Sequence, residues 1–393
     1  MTGFLLLTVI YIAFISLGLP DALLGVGWPL MHVEFNAPLS MAGWIFMTIA
    51  AGTILSSLLS GKLLERFDTK QVTFGSGLVT ALCLLGFYAA PSLIWLFILS
   101  IPLGLGAGAV DAALNHYVAE NYKAHHMNWL HCFWGVGATG GPLVMAGVLT
   151  ENGWRDGYLI VALIQFALAF ILLLSFPLWK REVKMKPTPV ERQETAVTAL
   201  ERELPKGISY ALATFLLYCG IEALIGLWAS SYLVQMKQFS VATAATWVSI
   251  YYGSITLGRF LSGFLSFRFT NRQMIRLGQI LALIGSLIFL IPSTDAMLIG
   301  LICIGLGLAP IYPSMLHETP KRFGPVRAKR LMGFQMAFAY TGSTFLPPLF
   351  GLIVSQTSLG LFPIVTILIM FGMLLNTERL NVIMQQQSKE EPI

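Results

Sequence analysis

Twelve long apolar stretches dominate this sequence. A helix that crosses a bilayer needs about 20 mostly apolar residues, and twelve segments of the 393-residue chain meet that requirement. Only 11% of the residues are charged, against roughly 25% in soluble domains, so the surface cannot face water on all sides. We predict an all-α membrane protein with transmembrane helices near 3–31, 40–64, 71–90, 93–121, 128–150, 155–179, 206–234, 240–266, 272–291, 295–322, 328–355 and 359–380.

The basic residues predict the orientation of these helices. If the N-terminus lies inside, only Arg155 and Lys237 of the 24 Lys and Arg residues fall in outer loops. Cytoplasmic loops carry the excess of basic residues in membrane proteins. We therefore expect a multi-pass protein of the cell membrane with both termini in the cytoplasm. Because no basic segment precedes the first stretch and Asp21 interrupts it, we expect no cleaved signal peptide.

A long charged segment divides the chain into six stretches and six stretches. We predict an N-terminal six-helix bundle over 1–179, a cytoplasmic linker over 180–205, a C-terminal six-helix bundle over 206–380 and a cytoplasmic tail over 381–393. The linker is rich in Lys, Arg, Glu and Pro. Both a short helix on the membrane surface and a flexible connection fit its composition.

The two halves of the chain repeat each other. The alignment of 14–25 with 215–226 places Asp21 on Glu222 and Gly25 on Gly226. The alignment of 59–71 with 261–273 has seven identical positions in thirteen. Parallel repeats of this kind are typical of transporters whose substrate site lies between the halves, near the middle of the bilayer. The aligned segments are 14–25 with 215–226 and 103–116 with 304–317, both at an offset of 201, and 59–71 with 261–273 at an offset of 202.

The segment GKLLERFDTK (61–70) resembles the signature loop of the major facilitator superfamily. Glu65 stands where Asp is usual, and Asp68 stands where Gly is usual. The second copy of the loop retains several of the same residue types. The resemblance covers nearly the whole chain. It implies a cytoplasmic gate in which charged residues pair in one state only. The general excess of basic residues in cytoplasmic loops explains the same cations without a gate. The residues expected at this gate are Glu65, Arg66, Asp68, Lys70, Arg259 and Arg268.

Within the superfamily the chain is most similar to the fucose/glucose:proton symporter branch. The segment GLGAGAVDAALNHYVAENY (104–122) resembles a Gly-rich helix of that branch, with Asp111 followed four residues later by Asn115. The segment NWLHCFWGVGATGGP (128–142) resembles another, with His131 at a polar position. The resemblance implies symport of a sugar with a proton, and it assigns proton coupling to the carboxylate of the first span, here Asp21.

Three carboxylates lie well inside the apolar stretches, namely Asp21, Asp111 and Glu222. An ionisable group near the bilayer centre costs about 2.5–3.5 kcal/mol, so it usually faces a cavity or a partner. We expect no basic residue at similar depth, because Lys62 and Arg259 fall near the inner ends of their helices. Burial disfavours the charged form of a carboxyl group, so we predict all three as candidates for proton coupling, with a structural role as the alternative.

Polar and aromatic residues inside the stretches predict the substrate site. Asp111 and Asn115 lie one helical turn apart and can both accept hydrogen bonds from hydroxyl groups. Aromatic rings can stack on the apolar side of a sugar, although packing explains such residues equally well. The full set of candidates for substrate binding is Asp111, Asn115, His131, Asn128, Glu222, Tyr251, Trp247, Tyr312, Gln335 and Tyr340.

Three classes of function compete at this stage. The first is a proton-coupled symporter of a sugar or similar small polyhydroxy solute. The second is a proton-linked exporter of drugs or other amphiphilic compounds, because residues 137–142 partly resemble an antiporter motif. The third, an intramembrane enzyme that uses Asp111 and His131, lacks any supporting catalytic motif. We therefore predict a transporter and not an enzyme, with the proton as coupling ion and no cofactor or metal site. We expect its partners to be a small solute and the lipid bilayer, and we expect no nucleic acid. A monomer is sufficient for this function.

Overall fold

The chain folds entirely into helices over the residues that the structure describes. This structure is a computed structural model that describes residues 2–122, 124–149, 153–179 and 204–390. Short 3₁₀ turns follow α7 and precede α14. The α-helices are α1 Thr2–Gly18, α2 Leu23–Glu34, α3 Met41–Arg66, α4 Thr69–Tyr88, α5 Leu93–Asn121, α6 Ala124–Val148, α7 Trp154–Leu174, α8 Ile208–Lys237, α9 Val241–Leu265, α10 Asn271–Ile288, α11 Thr294–Leu308, α12 Ile311–Phe323, α13 Pro325–Gln356 and α14 Phe362–Glu390.

These helices account for twelve spans. Nine helical stretches of the described chain are long and apolar enough to cross a membrane, with α1 and α2 forming one of them and α11 and α12 another. The remaining three spans are α6, α9 and α10, which are helices of 25, 25 and 18 residues. The predicted all-α architecture of two six-helix bundles is confirmed. The final helix continues to Glu390, into the predicted tail, and most of the predicted linker (180–203) lies outside the described residues.

Two spans are broken near their middles, and each break contains a proline. Pro20 lies between α1 and α2, and Pro310 lies between α11 and α12. Proline has no N–H to continue the helical ladder, so a helix tends to end or kink there. At the first break the backbone N–H of Asp21 donates to the carbonyl of Gly18 at 3.2 Å. The break thus presents Asp21 at a point where the helix is interrupted.

The two bundles contact each other at their distal ends. We call the side where α1 begins and α14 ends the terminal face, and the other side the distal face. Near the distal face Gly25 packs on the backbone of Gly226, and Gly43 packs on Pro348. His32 of α2 also lies 3.1 Å from the side-chain amide nitrogen of Gln235 of α8. These contacts close the distal ends of the bundles against each other.

The helices α6 and α9 form the other long contact between the bundles. Ser249 of α9 donates a hydrogen bond to the carbonyl of Thr139 of α6 at 2.7 Å. Further toward the terminal face, a Cβ on Gly135 would collide with the side chain of Thr256. Small residues thus let α6 and α9 approach closely, as is common between membrane helices.

Candidate functional site

A large cavity lies between the two bundles. Its volume is about 1440 Å³, and helices of both halves contribute to its wall. Toward the terminal face it reaches the exposed side chains of Trp129, Phe267 and His317, and toward the distal face it ends near Gly25 and Gly226. The cavity is therefore open at the terminal face and closed at the distal face.

All three carboxylates from the apolar stretches line this cavity. The side chain of Asp21 is exposed although it lies mid-span, because it faces the open cavity. The indole nitrogen of Trp134, on α6, donates a hydrogen bond to Asp21 Oδ2 at 2.7 Å. Among the described residues, no Lys or Arg forms an ion pair with Asp21 or Asp111.

Asp111 and Asn115 form a polar pair on one turn of α5. The Nδ2 atom of Asn115 donates to the Oδ1 atom and to the backbone carbonyl of Asp111, both at 2.9 Å. Two glycines of the preceding turns, Gly104 and Gly108, pack against the backbone of α3. This close helix contact supports the polar pair, both members of which line the cavity. The pair offers carboxylate and amide oxygens, which can accept hydrogen bonds from the hydroxyl groups of a solute.

Glu222 has a cationic partner, contrary to the expectation from sequence. The Nη2 atom of Arg259 lies 3.4 Å from Glu222 Oε1 and 3.5 Å from Oε2. Both side chains line the cavity and are largely buried, at 14% and 17% exposure. The expectation that no basic residue lies at the depth of the carboxylates was therefore wrong. Arg259 lies two turns before the end of α9, and its long side chain reaches from there to Glu222.

Aromatic side chains surround this ion pair. The guanidinium carbon of Arg259 lies 5.3 Å from the ring centroid of Trp134, which is within the range of a cation–π contact. The ring of Tyr252 meets the same indole edge-on, with centroids 6.4 Å apart. Trp134 therefore contacts both Asp21 of the N-terminal half and Arg259 of the C-terminal half.

Three further predicted residues line the cavity. His131 is exposed to it and meets the ring of Phe14 edge-on at 5.9 Å. The hydroxyl of Tyr312 donates to the sulfur of Met336 at 2.8 Å, which is a weak acceptor. Tyr340 lies in the same wall. The side chain of Asn128 lies outside the described part of the structure.

The structure places three other candidates away from the cavity, so their predicted place in its wall was wrong. Trp247 is 6% exposed and meets the ring of Phe239 edge-on at 4.9 Å, and Tyr251 is fully buried. Both lie on the face of α9 that packs on α11, where Gly305 contacts the backbone of Tyr251. Gln335, which is 2% exposed, accepts a hydrogen bond from Thr319 at 3.0 Å and fills the space between α12 and α13.

The loop between α3 and α4 shows mainly local contacts. Asp68 forms a capping box with Gln71 at the start of α4 and lies 3.9 Å from Lys70. Glu65 and Arg66 are exposed near the end of α3, and Arg268 is exposed just beyond α9. Arg259, assigned to the same gate, lies in the cavity wall with Glu222. The predicted gate role of the loop residues stays a prediction.

Sequence reasoning missed Trp134, Tyr218 and Tyr252, which all line the cavity. Trp134 lies three residues after His131 and therefore on the same helix face, which was a usable signal. Tyr252 lies seven residues before Arg259, which is two helical turns. Both residues therefore lie on the same face of α9, the face that lines the cavity. Over the described residues, no group of three or more His, Cys, Asp or Glu side chains is arranged to hold a metal ion.

An all-helical, twofold-repeated membrane protein with a large central cavity between its halves, lined by three carboxylates, has the form of a secondary transporter. The sequence profile of the Major Facilitator Superfamily matches residues 10–315 and 210–385. The chain belongs to this family, and its relatives are transporters and not enzymes.

Several characterised and uncharacterised transporters are similar in sequence. The MFS-type transporter YhjX of Escherichia coli is 24% identical over 304 residues, which is 73% of either chain. The glucose/mannose transporter GlcP of Bacillus subtilis is 20% identical over 78% of this chain and 77% of its own. The cis,cis-muconate transport protein of Acinetobacter baylyi is 23% identical over 84% of this chain and 83% of its own.

Solved structures support the same fold. The nucleoside transporter NupG superposes with a TM-score of 0.74 at 14% identity, covering 95% of this chain and 98% of its own. A bacterial homologue of the human lysosomal transporter Spinster, described as inward-facing and occupied, superposes with a TM-score of 0.71 at 15% identity, covering 97% of this chain and 95% of its own. Similarity at this level establishes the major facilitator fold.

Proposed function

We propose that this protein is a proton-coupled symporter that carries a sugar or similar small polyhydroxy solute by alternating access. The observation that carries the proposal is the charge of the cavity. Asp21, Asp111 and Glu222 line it, whereas Arg259 is the one Lys or Arg in its described wall and is already paired with Glu222. The wall thus keeps two carboxylates without a cationic partner.

The chemistry of this wall suits a neutral solute with many hydroxyl groups. Carboxylate and amide oxygens accept hydrogen bonds from hydroxyls, and Asp111 and Asn115 present both on one turn. Aromatic side chains such as Tyr312, Tyr340 and Trp134 provide flat apolar surfaces beside them, which can stack on sugar rings. The similarity to the glucose/mannose transporter of Bacillus subtilis also favours this class.

The position of Asp21 supports proton coupling. Its carboxylate faces the cavity at a helix break and bonds to a neutral indole N–H rather than to a cation. Returning a charged carboxylate through a closed, water-poor state is costly, whereas a protonated one is neutral. A proton bound at Asp21 therefore lowers the barrier to the movement of the two halves.

The contacts between the halves support alternating access. The distal ends are closed by Gly25, Gly226 and neighbouring residues, while the terminal face is open. Basic residues concentrate on the terminal face, which we therefore place in the cytoplasm, with the protein in the cell membrane. The conformation is then inward-open, and rocking of the two halves would open the distal side.

A second candidate is transport of a small organic anion. Arg259 in the cavity wall favours it, and relatives carry names such as cis,cis-muconate transport protein and 4-hydroxybenzoate transporter. Against it stands the ion pair, because the positive charge of Arg259 is already balanced by Glu222. The two unpaired carboxylates would also repel an anion unless protonated.

Uptake by purified protein in liposomes tests these proposals. With an inward proton gradient, we expect accumulation of a radiolabelled monosaccharide, and dissipation of the gradient with a protonophore should abolish it. Accumulation of 4-hydroxybenzoate or muconate without any sugar uptake would instead support the second candidate. Expulsion of a cationic dye, with neither sugar nor organic acid taken up, would support the exporter and refute both.

A further inference from the structure

Trp134 occupies a singular position in the cavity, because its indole contacts charged groups of both halves. Its Nε1 atom donates to Asp21 Oδ2 at 2.7 Å, within the N-terminal half. The guanidinium of Arg259, in the C-terminal half, lies over the face of the same ring at 5.3 Å. Arg259 in turn pairs with Glu222 at 3.4 Å. One neutral side chain thus connects a lone carboxylate to an ion pair across the interface.

The two contacts use different parts of the indole. The N–H is a donor only, so it needs an acceptor such as a carboxylate oxygen. Hydrogen bonds to a charged carboxylate are roughly twice as strong as those between neutral groups. The ring face attracts a cation through its quadrupole and needs no N–H. Hence a change in the charge of Asp21 alters the hydrogen bond from the indole N–H directly. It alters the contact between Arg259 and the ring face only if the ring moves.

The surroundings of the indole define which other charges can act on it. The charged and titratable groups around Asp21 and Trp134 are Asp111 on α5, His131 on α6, Glu222 on α8, and Tyr252 and Arg259 on α9. The indole N–H donates its hydrogen bond to Asp21 and to none of these surrounding groups.

We propose that Trp134 is a positioning residue that couples the protonation of Asp21 to the contact between the halves. The proposal rests on the proton-coupled function above and adds the element that transmits it. When Asp21 is charged, the N–H bond holds the ring beneath Arg259. When Asp21 takes up a proton, that bond weakens, and the ring is held less firmly in its place beneath Arg259. The contact across the interface is then weaker, and the halves separate there more readily.

The substitution Trp134→Phe separates the two contacts, because phenylalanine keeps an aromatic face and lacks the N–H. Removing a donor from Asp21 destabilises its charged form, so we expect the pH of half-maximal substrate exchange to move to higher pH. We also expect proton-driven accumulation to fall by roughly tenfold, the size of one hydrogen bond to a charged group. Trp95→Phe, the same change on the lipid-facing side of α5, serves as the matched control.

A double substitution shows whether the effect runs through Asp21. In an Asp21→Asn background, Trp134→Phe should cause no further shift in the pH profile of exchange, because the carboxylate whose charge the N–H stabilises is gone and the effects of coupled residues are not additive. Independent effects of the two substitutions would overturn the proposal, as would a Trp134→Phe protein with the pH profile of the parent. If Trp134→Phe does not fold, benzothienylalanine at this position, which keeps the bicyclic ring and lacks the N–H, takes its place, and failure of both variants to fold would show a packing role and overturn the proposal. A parent protein without proton-driven uptake would instead refute the proposed function itself.

Discussion

Gly25 of α2 and Gly226 of α8 meet backbone to backbone at the distal end of the cavity. A Cβ on Gly25 would overlap the carbonyl oxygen of Gly226 and lie 2.9 Å from the Cα of Leu227. The two glycines are partners in the internal repeat, at an offset of 201 residues. Contact between repeat partners is expected where the axis that relates the halves passes between them. This contact closes the cavity on one side, and no larger side chain fits it.

Gly25→Ala should therefore open the distal side. Overpacking typically costs about 1–3 kcal/mol, enough to lower the ratio of distally closed to distally open protein by about fivefold or more. A cysteine introduced at Leu24, which lines the cavity near this contact, reports the change in a background without the native cysteines. Its reaction with a membrane-impermeant reagent applied from the distal side should become faster.

Gly147→Ala is the control for this change. A Cβ at Gly147, in α6, meets nothing within 4 Å, so this substitution should leave the labelling rate unchanged. It should also stabilise the protein slightly, because alanine favours a helix over glycine by about 1 kcal/mol. Unaltered labelling in the Gly25→Ala protein would contradict the assignment of this contact as the distal closure.

Asp21→Asn should abolish proton-driven accumulation and spare substrate exchange. The amide keeps the shape of the side chain and an oxygen that can accept the Trp134 N–H, but it cannot carry a proton between the two sides. Uptake under an imposed gradient and counterflow without a gradient measure the two activities separately. Asp295→Asn, at the exposed start of α11, is the matched control. Normal accumulation by the Asp21→Asn protein would remove Asp21 from the coupling mechanism.

Asn115→Ala should weaken substrate binding itself. The variant loses an amide oxygen that faces the cavity and the hydrogen bond that orients Asp111. One lost hydrogen bond corresponds to about 0.5–1.5 kcal/mol, so we expect the Kd from calorimetry to rise by about three- to tenfold. Asn121→Ala is a close control, because Asn121 lies on the same helix and makes the same local bond to a carbonyl four residues earlier. Equal Kd values for the two variants would exclude Asn115 from the site.

Removing one member of the ion pair between Glu222 and Arg259 should be worse than removing both. Arg259→Met leaves Glu222 in the cavity wall without its cation, and an unpaired buried group of this kind costs about 1–3 kcal/mol or more. The double variant Glu222→Gln with Arg259→Met removes both charges and should recover part of the loss. The melting temperatures of the parent, the Arg259→Met variant and the double variant in detergent measure this difference in stability. A double variant less stable than Arg259→Met would show that the two residues do not act as a pair.

The position of polar residues inside apolar stretches was informative, whereas the side of the helix that they occupy was harder to predict. Asp21, Asp111 and Glu222 all line the cavity, because a carboxylate inside a span must avoid lipid. On α9, however, the prediction chose the face of Trp247 and Tyr251, and the cavity lies on the face of Tyr252 and Arg259. In an apolar helix nearly every face is hydrophobic, so hydropathy does not distinguish the faces.

The amino-acid sequence by itself determined the twelve spans, the twofold repeat and the depth of each carboxylate. Each of these depends only on which residues follow one another along the chain. The tertiary structure decided which side chains meet across helices. Arg259 reaches Glu222 from another helix, and Trp134 spans the two halves between Asp21 and Arg259. Such contacts depend on the rotation of each helix and the reach of each side chain, which are set only when the bundles pack together.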